Sequence, residues 1–287
     1  MPVSKLQSFL SSKLQTPVKE IISTGGGCIN QTYKITTDIN HFFCKVNSAS
    51  KFPHLFQKEK NGLALIEKQN IIKVPKVIDC GILDDQQILI LEWIEEGTKD
   101  DQFWKIFGEQ LASLHQISSE QFGLDEDNFM GSIPQSNKQH QSWISFFKEE
   151  RLQPLVKTCI SNKLLSLNHE AQFQFFYQRL PQIFNDEKPA LVHGDLWSGN
   201  FMCNNQGQPA LIDPAIYFGH RSVDLGMTTL FGGFDKKFYD AYHYYHPLPI
   251  NYKEQWKACN LYPLLIHLIL FGKTYLAEIQ QTLDRFA

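Results

Sequence analysis

The stretch Val192-His193-Gly194-Asp195-Leu196-Trp197-Ser198-Gly199-Asn200 decides the fold, together with Leu211-Ile212-Asp213 shortly after it. Between them lie two short apolar runs, residues 200–203 and 209–212, separated by Asn204-Asn205-Gln206-Gly207. Apolar runs that flank a segment of Asn and Gly predict a β-hairpin. Such a hairpin would bring Asn200 and Asp213 back together.

Three of these side chains suit phosphoryl transfer from ATP. That reaction needs a group that orients a substrate hydroxyl and takes its proton, and oxygen ligands that hold Mg²⁺ against the phosphates. We predict Asp195 as the catalytic base, and Asn200 and Asp213 as the magnesium ligands. The order and the first spacing match the protein-kinase template. Taken singly, each residue has a structural alternative as a turn residue or a cap.

Length and composition fit a globular protein of two lobes. The chain has 287 residues, 43% hydrophobic and 13% aromatic, which is enough for a large core without disulfides or a structural metal. A formal net charge of −3 and no sustained Lys/Arg stripe predict no nucleic-acid partner. The six cysteines form no C-x-x-C pair and are interpreted as reduced thiols of a cytoplasmic protein. No uninterrupted run of about 18 apolar residues occurs, so no membrane contact is predicted, and the oligomeric state is left open.

The spacing of apolar residues predicts an α+β, protein-kinase-like two-lobed fold. Residues 1–94 are predicted as a small antiparallel β lobe with one crossing helix, which binds ATP. Its expected strands are residues 18–24, 31–37, 41–46, 74–81 and 87–93, and helical spacing covers residues 3–14 and 52–69. Residues 95–287 are predicted as a larger, mainly helical lobe with the catalytic loop and the substrate site. Its expected helices are residues 101–117, 140–157, 169–184, 222–231 and 251–285, and the hairpin is its single expected β element.

Two features of the first lobe are predicted to hold the phosphates of ATP. Gly25-Gly26-Gly27-Cys28 lies between two strands, where backbone amides can approach phosphate, although three glycines are also typical of a flexible turn. Lys45 stands inside an apolar strand and would hold the α- and β-phosphates if a glutamate on the next helix pairs with it. Glu59 is the predicted partner, ahead of Glu67. The alternative for Lys45 is an edge-strand lysine that reaches solvent.

The apolar strand at 88–94 leads into the connector between the lobes. Glu92, Trp93 and Ile94 are predicted to contact adenine there, although a core strand without a ligand explains the run equally well. Two further residues are predicted to support the catalytic loop. His193 would brace it, and Asp224 would accept hydrogen bonds from its backbone N–H groups.

Departures from the protein-kinase pattern indicate the class of acceptor. Asp213 is followed by Pro214-Ala215 instead of Phe-Gly, and no A-P-E sequence follows. The stretch from Asp213 to Asp224 is too short for a segment that positions a peptide. A hydroxyl of a small molecule is therefore the expected acceptor.

The chain resembles the fructosamine-3-kinase (ketosamine-3-kinase) family along nearly its whole length. Trp197, Pro214-Ala215 and Gly219-His220-Arg221 separate it from the aminoglycoside phosphotransferases and choline kinases, which share H-G-D and a later Asp. The resemblance implies transfer of phosphate from ATP, with Mg²⁺, to the sugar 3-hydroxyl of a ketosamine, a deglycation step. Ribulosamines and erythrulosamines are the implied substrates. The motifs that carry the resemblance are residues 25–29, 43–47, 193–200, 212–215, 217–221 and 262–268.

A ketosamine carries a basic amine, so its pocket should offer carboxylate and aromatic surface. The candidates are Trp197, Tyr217, His220 and Trp256, although aromatic residues more often belong to a core. A separate hypothesis gives Cys28 a lowered thiol pKa and sensitivity to oxidation. Two other functions stay open: a kinase of an aminoglycoside, choline or another amino alcohol, and a regulatory protein that binds ATP without turnover.

Overall fold

The computed structural model describes residues 3–25, 29–232 and 234–286. The chain divides into two compact units, one made of residues 1–100 and 202–213 and the other of residues 101–201 and 214–287. The first unit begins with α1 (Val3–Leu14), β1 (Glu20–Ser23), β2 (Gln31–Thr36), β3 (His41–Ser48), α2 (Leu55–Gln69), β4 (Val77–Leu83) and β5 (Gln86–Glu92).

An antiparallel sheet in the order β1-β2-β3-β5-β4 organises the first unit. On one face, Cys44 and Val46 of β3 pack with Leu6 and Leu10 of α1. Because successive side chains of a strand point to opposite faces, Lys45 points the other way. On that side α2 buries an apolar stripe, which consists of Leu55, Phe56, Leu63 and Ile66.

The second unit is mainly helical. Its elements are α3 (Asp101–Leu114), β6 (Asn128–Met130), β7 (Ile133–Gln135), α4 (Trp143–Phe146), a π-helical segment (Phe147–Leu152), α5 (Gln153–Ser161), α6 (Leu167–Ile183) and β8 (Ala190–Val192). The hairpin strands β9 (Phe201–Cys203) and β10 (Pro209–Leu211) follow. The rest of the chain forms β11 (Tyr217–Gly219), α7 (Ser222–Met227), α8 (Lys236–Tyr245), α9 (Tyr252–Phe271), a 3₁₀ turn (Lys273–Tyr275) and α10 (Leu276–Arg285).

The predicted fold class is confirmed: an antiparallel sheet dominates the N-terminal part, and helices dominate the C-terminal part. The predicted hairpin is present as β9 and β10. It is not the single β element after residue 100, however, because β6 pairs with β7 and β8 pairs with β11. Strands of three residues are too short to show an alternating pattern, and β9 and β10, which are equally short, were predicted only from the Asn-Gly segment between them.

Two helical predictions need correction, and one helix was not predicted. The expected helix at 140–157 is interrupted by the π-helical segment, and the expected helix at 251–285 ends at Gly272, whose φ of 88° stops α9. Helix α8 was not predicted, although Asp235 caps it and Phe238 and Tyr242 are buried at helical spacing. None of the helices in the described ranges combines the length and apolarity that a membrane crossing requires.

Candidate active site

A buried lysine is paired with two carboxylates in the first unit. Lys45 lies on the central strand β3 and is 1% exposed, so the alternative of an edge-strand lysine is wrong. Its Nζ lies 2.7 Å from Oε1 of Glu59 on α2 and 2.6 Å from Oδ1 of Asp213, which follows β10. Glu67, the second candidate, is exposed on α2. A buried ammonium group is tolerated only with partners of this kind.

These carboxylates keep the lysine charged. Burial alone would lower the pKa of Lys45, but the charges of Asp213 and Glu59 outweigh burial and raise the pKa above its ordinary value. Burial raises the pKa of Glu59 to about 7, while Lys45 opposes this rise and Asp213 adds to it. Lys45 therefore carries its positive charge at neutral pH.

Asp213 has an unusual backbone conformation. Its φ is 56°, in the left-handed region that residues other than glycine rarely adopt, although Asp tolerates it better than most. Its side chain is 40% exposed. The chain thus leaves the extended geometry of β10 at this residue, and the carboxylate stays partly open to solvent.

The side chain of Glu92 is engaged within the first unit. Its Oε1 lies 2.8 Å from Nζ of Lys73, and its Oε2 accepts a hydrogen bond of 3.1 Å from the backbone N–H of Lys76. Trp93 is half-buried and Ile94 is buried. The role of Glu92, Trp93 and Ile94 in adenine binding stays a prediction.

The glycine-rich segment is described only in part. A Cβ added at Gly25 would meet no atom within 4 Å, so the backbone there is open to close approach. Gly26, Gly27 and Cys28 lie outside the described residues, and with them the hypothesis about the Cys28 thiol.

In the second unit, a buried carboxylate holds the loop that follows β8. Asp224 is fully buried on α7. Its Oδ2 accepts a hydrogen bond of 2.7 Å from the backbone N–H of His193, and its Oδ1 accepts one of 2.8 Å from that of Gly194. His115 of α3 contacts the same Oδ2 through Nε2 at 3.0 Å, and its Nδ1 lies 2.8 Å from the hydroxyl of Tyr242. Asp224 therefore fixes the backbone immediately before Asp195.

The chain after Asp213 packs closely against the same loop. The backbone N–H of Ala215 donates to the carbonyl of His193 at 2.9 Å. Gly194 has a φ of 82°, and a Cβ at this position would lie 2.2 Å from the carbonyl oxygen of Ala215. Only glycine combines this φ with so close an approach. The Gly of the H-G-D motif is thus a steric requirement of the loop.

Asp195 and Asn200 interact directly at the two ends of the loop. The amide nitrogen Nδ2 of Asn200 donates to the carbonyl oxygen of Asp195 at 2.8 Å and to its carboxylate Oδ2 at 2.9 Å. His193 is buried, and its Nδ1 accepts a hydrogen bond of 3.3 Å from the backbone N–H of Asp195. The half-buried carboxylate of Asp195 therefore has a defined orientation.

The donor atoms of the two predicted metal ligands suit Mg²⁺. Asn200 uses its amide nitrogen on Asp195, which leaves the amide oxygen as the end for a metal. Asp213 supplies a partly exposed carboxylate. Both are hard oxygen donors of the type that Mg²⁺ prefers. No cluster of three or more His, Cys, Asp or Glu side chains placed to hold a metal occurs in residues 3–25, 29–232 and 234–286.

Three of the four predicted substrate residues lie in the core of the second unit. Tyr217 is fully buried, His220 is 1% exposed and Trp256 is 8% exposed. Tyr217 has Arg151 over its ring at 4.0 Å. Protein atoms cover these side chains, so burial does not favour a direct contact with a substrate, and their role stays a prediction. Trp197, in the loop that follows β8, is only half-buried.

His220 belongs to a structural cluster with two charged neighbours. Burial lowers the pKa of His220 to about 4, so the ring is neutral near pH 7. Its Nδ1 accepts a hydrogen bond from the backbone N–H of Ser222 at 3.2 Å. Arg221 holds Glu187 through two hydrogen bonds of 2.9 and 2.8 Å. Burial would raise the pKa of Glu187, but the bond from Arg221 and the nearby His220 lower it to about 2.

A buried network of side-chain amides, which was not predicted from the sequence, lies beside the loop. Asn128 Nδ2 donates to the carbonyl of Ile216 at 2.8 Å, and Gln135 Nε2 donates to that of Ala215 at 3.2 Å. The hydroxyl of Tyr262 donates to Gln135 Oε1 at 2.7 Å. The network fixes the backbone just after Asp213 and Pro214. No motif announces it, because Asn and Gln in a polar stretch are also typical of loops.

Comparisons with known proteins identify the family of this chain. The model of the fructosamine kinase family matches residues 2–287. A probable ketoamine kinase of Synechocystis sp. is 38% identical over 276 residues, which cover 93% of this chain and 90% of the relative. A solved structure of a candidate fructosamine-3-kinase from Haemophilus somnus is 28% identical, with a TM-score of 0.89 and coverage of 99% of this chain and 97% of that one.

A more distant likeness concerns the fold alone. A mutant of the aminoglycoside phosphotransferase APH(4)-Ia, in a ternary complex with AMP-PNP and hygromycin B, has a TM-score of 0.66 at 16% identity, with coverage of 98% of this chain and 97% of that one. The family match spans nearly the whole chain, and the Synechocystis relative exceeds 30% identity. The chain therefore belongs to the fructosamine kinase family and is a phosphotransferase.

Proposed function

We propose that this protein transfers the γ-phosphoryl group of ATP to the 3-hydroxyl of a ketosamine of the fructosamine or ribulosamine type, as a step in the removal of sugars from amines. The observation that carries the proposal is the carboxylate of Asp195, which is half-buried and oriented by Asn200. Such a group can align a hydroxyl and accept its proton. Membership of the fructosamine kinase family supports a ketosamine as the acceptor.

The nucleotide is proposed from the charges of the first unit and from the fold. Lys45 keeps its charge in a buried position, where an ammonium group interacts strongly with phosphate oxygens. The AMP-PNP complex of the related aminoglycoside phosphotransferase supports ATP as the donor. Gly25 and its glycine neighbours in the sequence, with Glu92, Trp93 and Ile94, remain the proposed contacts for the rest of the nucleotide.

Mg²⁺ is the proposed cofactor, held by Asn200 and Asp213. When bound, it would offset the charge that develops on the phosphate oxygens. The protein's own residues would divide the remaining work. Lys45 holds phosphate, and Asp195 positions the acceptor hydroxyl and takes its proton. The backbone hydrogen bonds to Asp224 keep the loop of Asp195 in place.

The class of acceptor is proposed from the chain after Asp213. Pro214-Ala215 leads directly into β11 and α7, so the segment up to Asp224 offers little length for docking a peptide. Trp197 remains the proposed substrate contact among the four aromatic candidates. A cytoplasmic location is proposed as well, because the described cysteines are free thiols and the reaction needs ATP.

The test is ATP consumption by the wild type and by Asp195→Asn with a ribulosamine, a fructosamine, choline and an aminoglycoside. We expect turnover with the ketosamines alone, product phosphorylated at the 3-hydroxyl, and a loss in the variant of about 10²–10⁴-fold in kcat. Thermal melting of both proteins with Mg-ATP controls for folding and for nucleotide binding.

Other outcomes would replace the proposal. Turnover with choline or the aminoglycoside alone would assign the protein to an amino-alcohol kinase. Binding of Mg-ATP without turnover of any acceptor would favour the regulatory alternative, because a protein without catalytic function still gains stability from a nucleotide.

A further inference from the structure

Five aromatic side chains of the second unit form a continuous group beside the catalytic loop, here called the aromatic shelf. His267 lies at its centre, with its ring centroid 4.7 Å from that of Phe231, 5.0 Å from that of Tyr275 and 5.4 Å from that of Phe271. Trp197 joins the shelf through Phe231, with ring centroids 6.2 Å apart at 88°.

The shelf is unusually open for a group of this size. Phe231 is 42% exposed and Phe271 is 46% exposed, and Trp197, His267 and Tyr275 are only half-buried. Single exposed apolar residues are common on protein surfaces, but a contiguous exposed aromatic group often marks a binding site.

The backbone at Phe231 adds a second observation. Its φ is 58°, a left-handed conformation that is rare for a bulky residue and that costs about 1–2 kcal/mol. The turn after α7 thus sets this ring against His267 and Trp197 at an energetic cost. Residues held in such conformations cluster at functional sites.

The shelf is close in sequence to the proposed catalytic base. Trp197 is two positions after Asp195, and its backbone N–H donates to the carbonyl of Asp195 at 3.2 Å. The ring of Trp197 lies directly over Gly199, where an added Cβ would come within 2.4 Å of it. The same short loop therefore carries Asp195 and one residue of the shelf, two positions apart.

We propose that the aromatic shelf binds the arm of the ketosamine that is attached to nitrogen, namely the protonated secondary amine and its alkyl group. This inference rests on the proposed function. In a ketosamine the amine is on C1 and the reacting hydroxyl is on C3, only two carbon–carbon bonds away. A hydroxyl held at Asp195 would thus bring the amine to the vicinity of Trp197.

The chemistry of the shelf suits that occupant. The faces of aromatic rings attract an ammonium group, and their apolar surface accepts an alkyl chain. Burial lowers the pKa of His267, so that ring is neutral and does not repel a cation near pH 7. The shelf would thereby favour amines over neutral sugars while leaving the length of the alkyl group open.

The experiment compares two synthetic acceptors that differ in one atom. One is 1-(butylamino)-1-deoxyribulose, which carries the charged amine, and the other is 1-O-butylribulose, in which an ether oxygen replaces the nitrogen. Steady-state kinetics would be measured for the wild type, for Phe231→Leu and for Phe231→Tyr. Phe175→Leu is the matched control, because Phe175 is 46% exposed on α6 and lies outside the shelf.

We expect Phe231→Leu to raise KM for the amine about threefold to tenfold, which is the strength of a cation–aromatic contact at a partly exposed site. Its kcat, its KM for ATP and its KM for the ether should stay within about twofold of the wild type, because leucine keeps an apolar contact with the butyl group and loses only the attraction of the ring for the cation. Phe231→Tyr restores the ring and should restore KM for the amine. Phe175→Leu should change none of these constants.

Two results would overturn the assignment of the shelf alone while the proposed function stands. One is an unchanged KM for the amine in Phe231→Leu, and the other is an equal rise in KM for the amine and the ether. If the wild type phosphorylates neither acceptor nor the larger ketosamines, the proposed function fails and the shelf assignment fails with it.

Discussion

The predicted site residues of the two units are held by different kinds of interaction. In the first unit, Lys45 is fixed by the opposite charges of Glu59 and Asp213. In the second unit, the loop of Asp195 is fixed through its main chain, because Asp224 accepts hydrogen bonds from two successive backbone N–H groups. The position of Lys45 in the first unit depends on a balance of side-chain charges, and the position of the Asp195 loop in the second unit depends on backbone hydrogen bonds.

This difference predicts how the stability and the activity respond to substitutions in each unit. A group of paired charges can lose one member and partly rebalance by taking up or releasing a proton. A loop held by backbone hydrogen bonds cannot rebalance, because its N–H groups have no second protonation state. Substitutions in the second unit should therefore cost more folding stability, and substitutions in the first unit should mainly cost activity.

The largest effect on stability is expected for Asp224→Ala. The substitution leaves the N–H groups of His193 and Gly194 and the ring of His115 without their buried acceptor. We expect the free energy of unfolding in urea to fall by about 3–5 kcal/mol. We also expect kcat to fall, because the loop that carries Asp195 is released.

Two further variants make this prediction specific. Asp224→Asn keeps one acceptor oxygen and should recover part of the lost stability. Asp240→Ala removes an exposed carboxylate that pairs with Lys236 on α8, and it should change stability by less than about 0.5 kcal/mol. Equal losses in Asp224→Ala and Asp240→Ala would refute the main-chain account of the loop.

The next effect concerns activity in the first unit. Lys45→Met removes the charge proposed to hold phosphate, and we expect kcat/KM for ATP to fall on the order of a hundredfold or more. Stability should change little near pH 4.5, since Glu59, whose pKa is already raised to about 7, is then protonated and remains buried as a neutral acid. Urea unfolding at several pH values, together with steady-state kinetics, would measure both effects.

The pH dependence of the unfolding free energy of Lys45→Met tests whether Glu59 becomes a buried neutral acid. A carboxyl whose pKa is raised in the folded state contributes stability below its unfolded pKa and loses it as the pH rises through the folded value. The variant should therefore lose stability from about pH 4.5, the ordinary value for Glu, up through a folded value above about 7, since removal of Lys45 raises the pKa of Glu59 further. Glu59→Gln, which leaves Lys45 paired with Asp213, should lack this trend.

The acid side of the stability profile probes a buried ring of the second unit. Burial lowers the pKa of His220 to about 4 from an ordinary value of 6.5. A histidine with a lowered pKa stabilises the fold above pH 6.5, and this contribution is lost as the pH falls to about 4. Glu187, whose pKa is about 2, loses its contribution only below about pH 4.5.

We therefore expect a loss of about 2–3 kcal/mol from His220 between pH 7.5 and 4.5. In His220→Phe the difference in unfolding free energy between these two pH values should shrink by this amount, whatever the absolute stability of the variant. A difference equal to that of the wild type would show that His220 is not the titrating group.

Much of the fold was predictable, because long elements have clear periodicity. The five strands of the first unit, α1 and α2 lie close to their predicted positions, and the hairpin of β9 and β10 follows from Asn204-Asn205-Gln206-Gly207. The three-residue strands β8 and β11 were not predictable, since they carry no alternating pattern and pair across a long stretch of chain. Strands β6 and β7 are joined by Gly131-Ser132, a two-residue turn that could have indicated them.

For the candidate site, sequence order gives the charged residues but not their surroundings. Lys45 stands out as a charge in an apolar strand, and its position before α2 points to Glu59. The burial of Tyr217 and His220 is a property of packing, which the sequence does not specify at single positions. Gln135 was missed for the same reason, because a buried amide and a loop amide look alike in the sequence.

The smallest expected effect tests whether the amide network supports activity, by positioning the segment after Asp213, or supports only folding stability. Tyr262→Phe deletes the hydroxyl that donates to Gln135 at 2.7 Å and keeps the ring in place. One buried hydrogen bond contributes about 1 kcal/mol, so stability should fall by about this amount. Since Gln135 still reaches the carbonyl of Ala215 through Nε2, kcat should stay within about threefold of the wild type. Gln135→Leu removes that contact together with the hydrogen bonds to Asn128 and Tyr262, so it should lower kcat further and cost more stability than Tyr262→Phe. If both variants lost stability but kept the kcat of the wild type, the amide network would not be needed to position the segment after Asp213. Asp224 would then be the one contact in the second unit whose main-chain hydrogen bonds support activity.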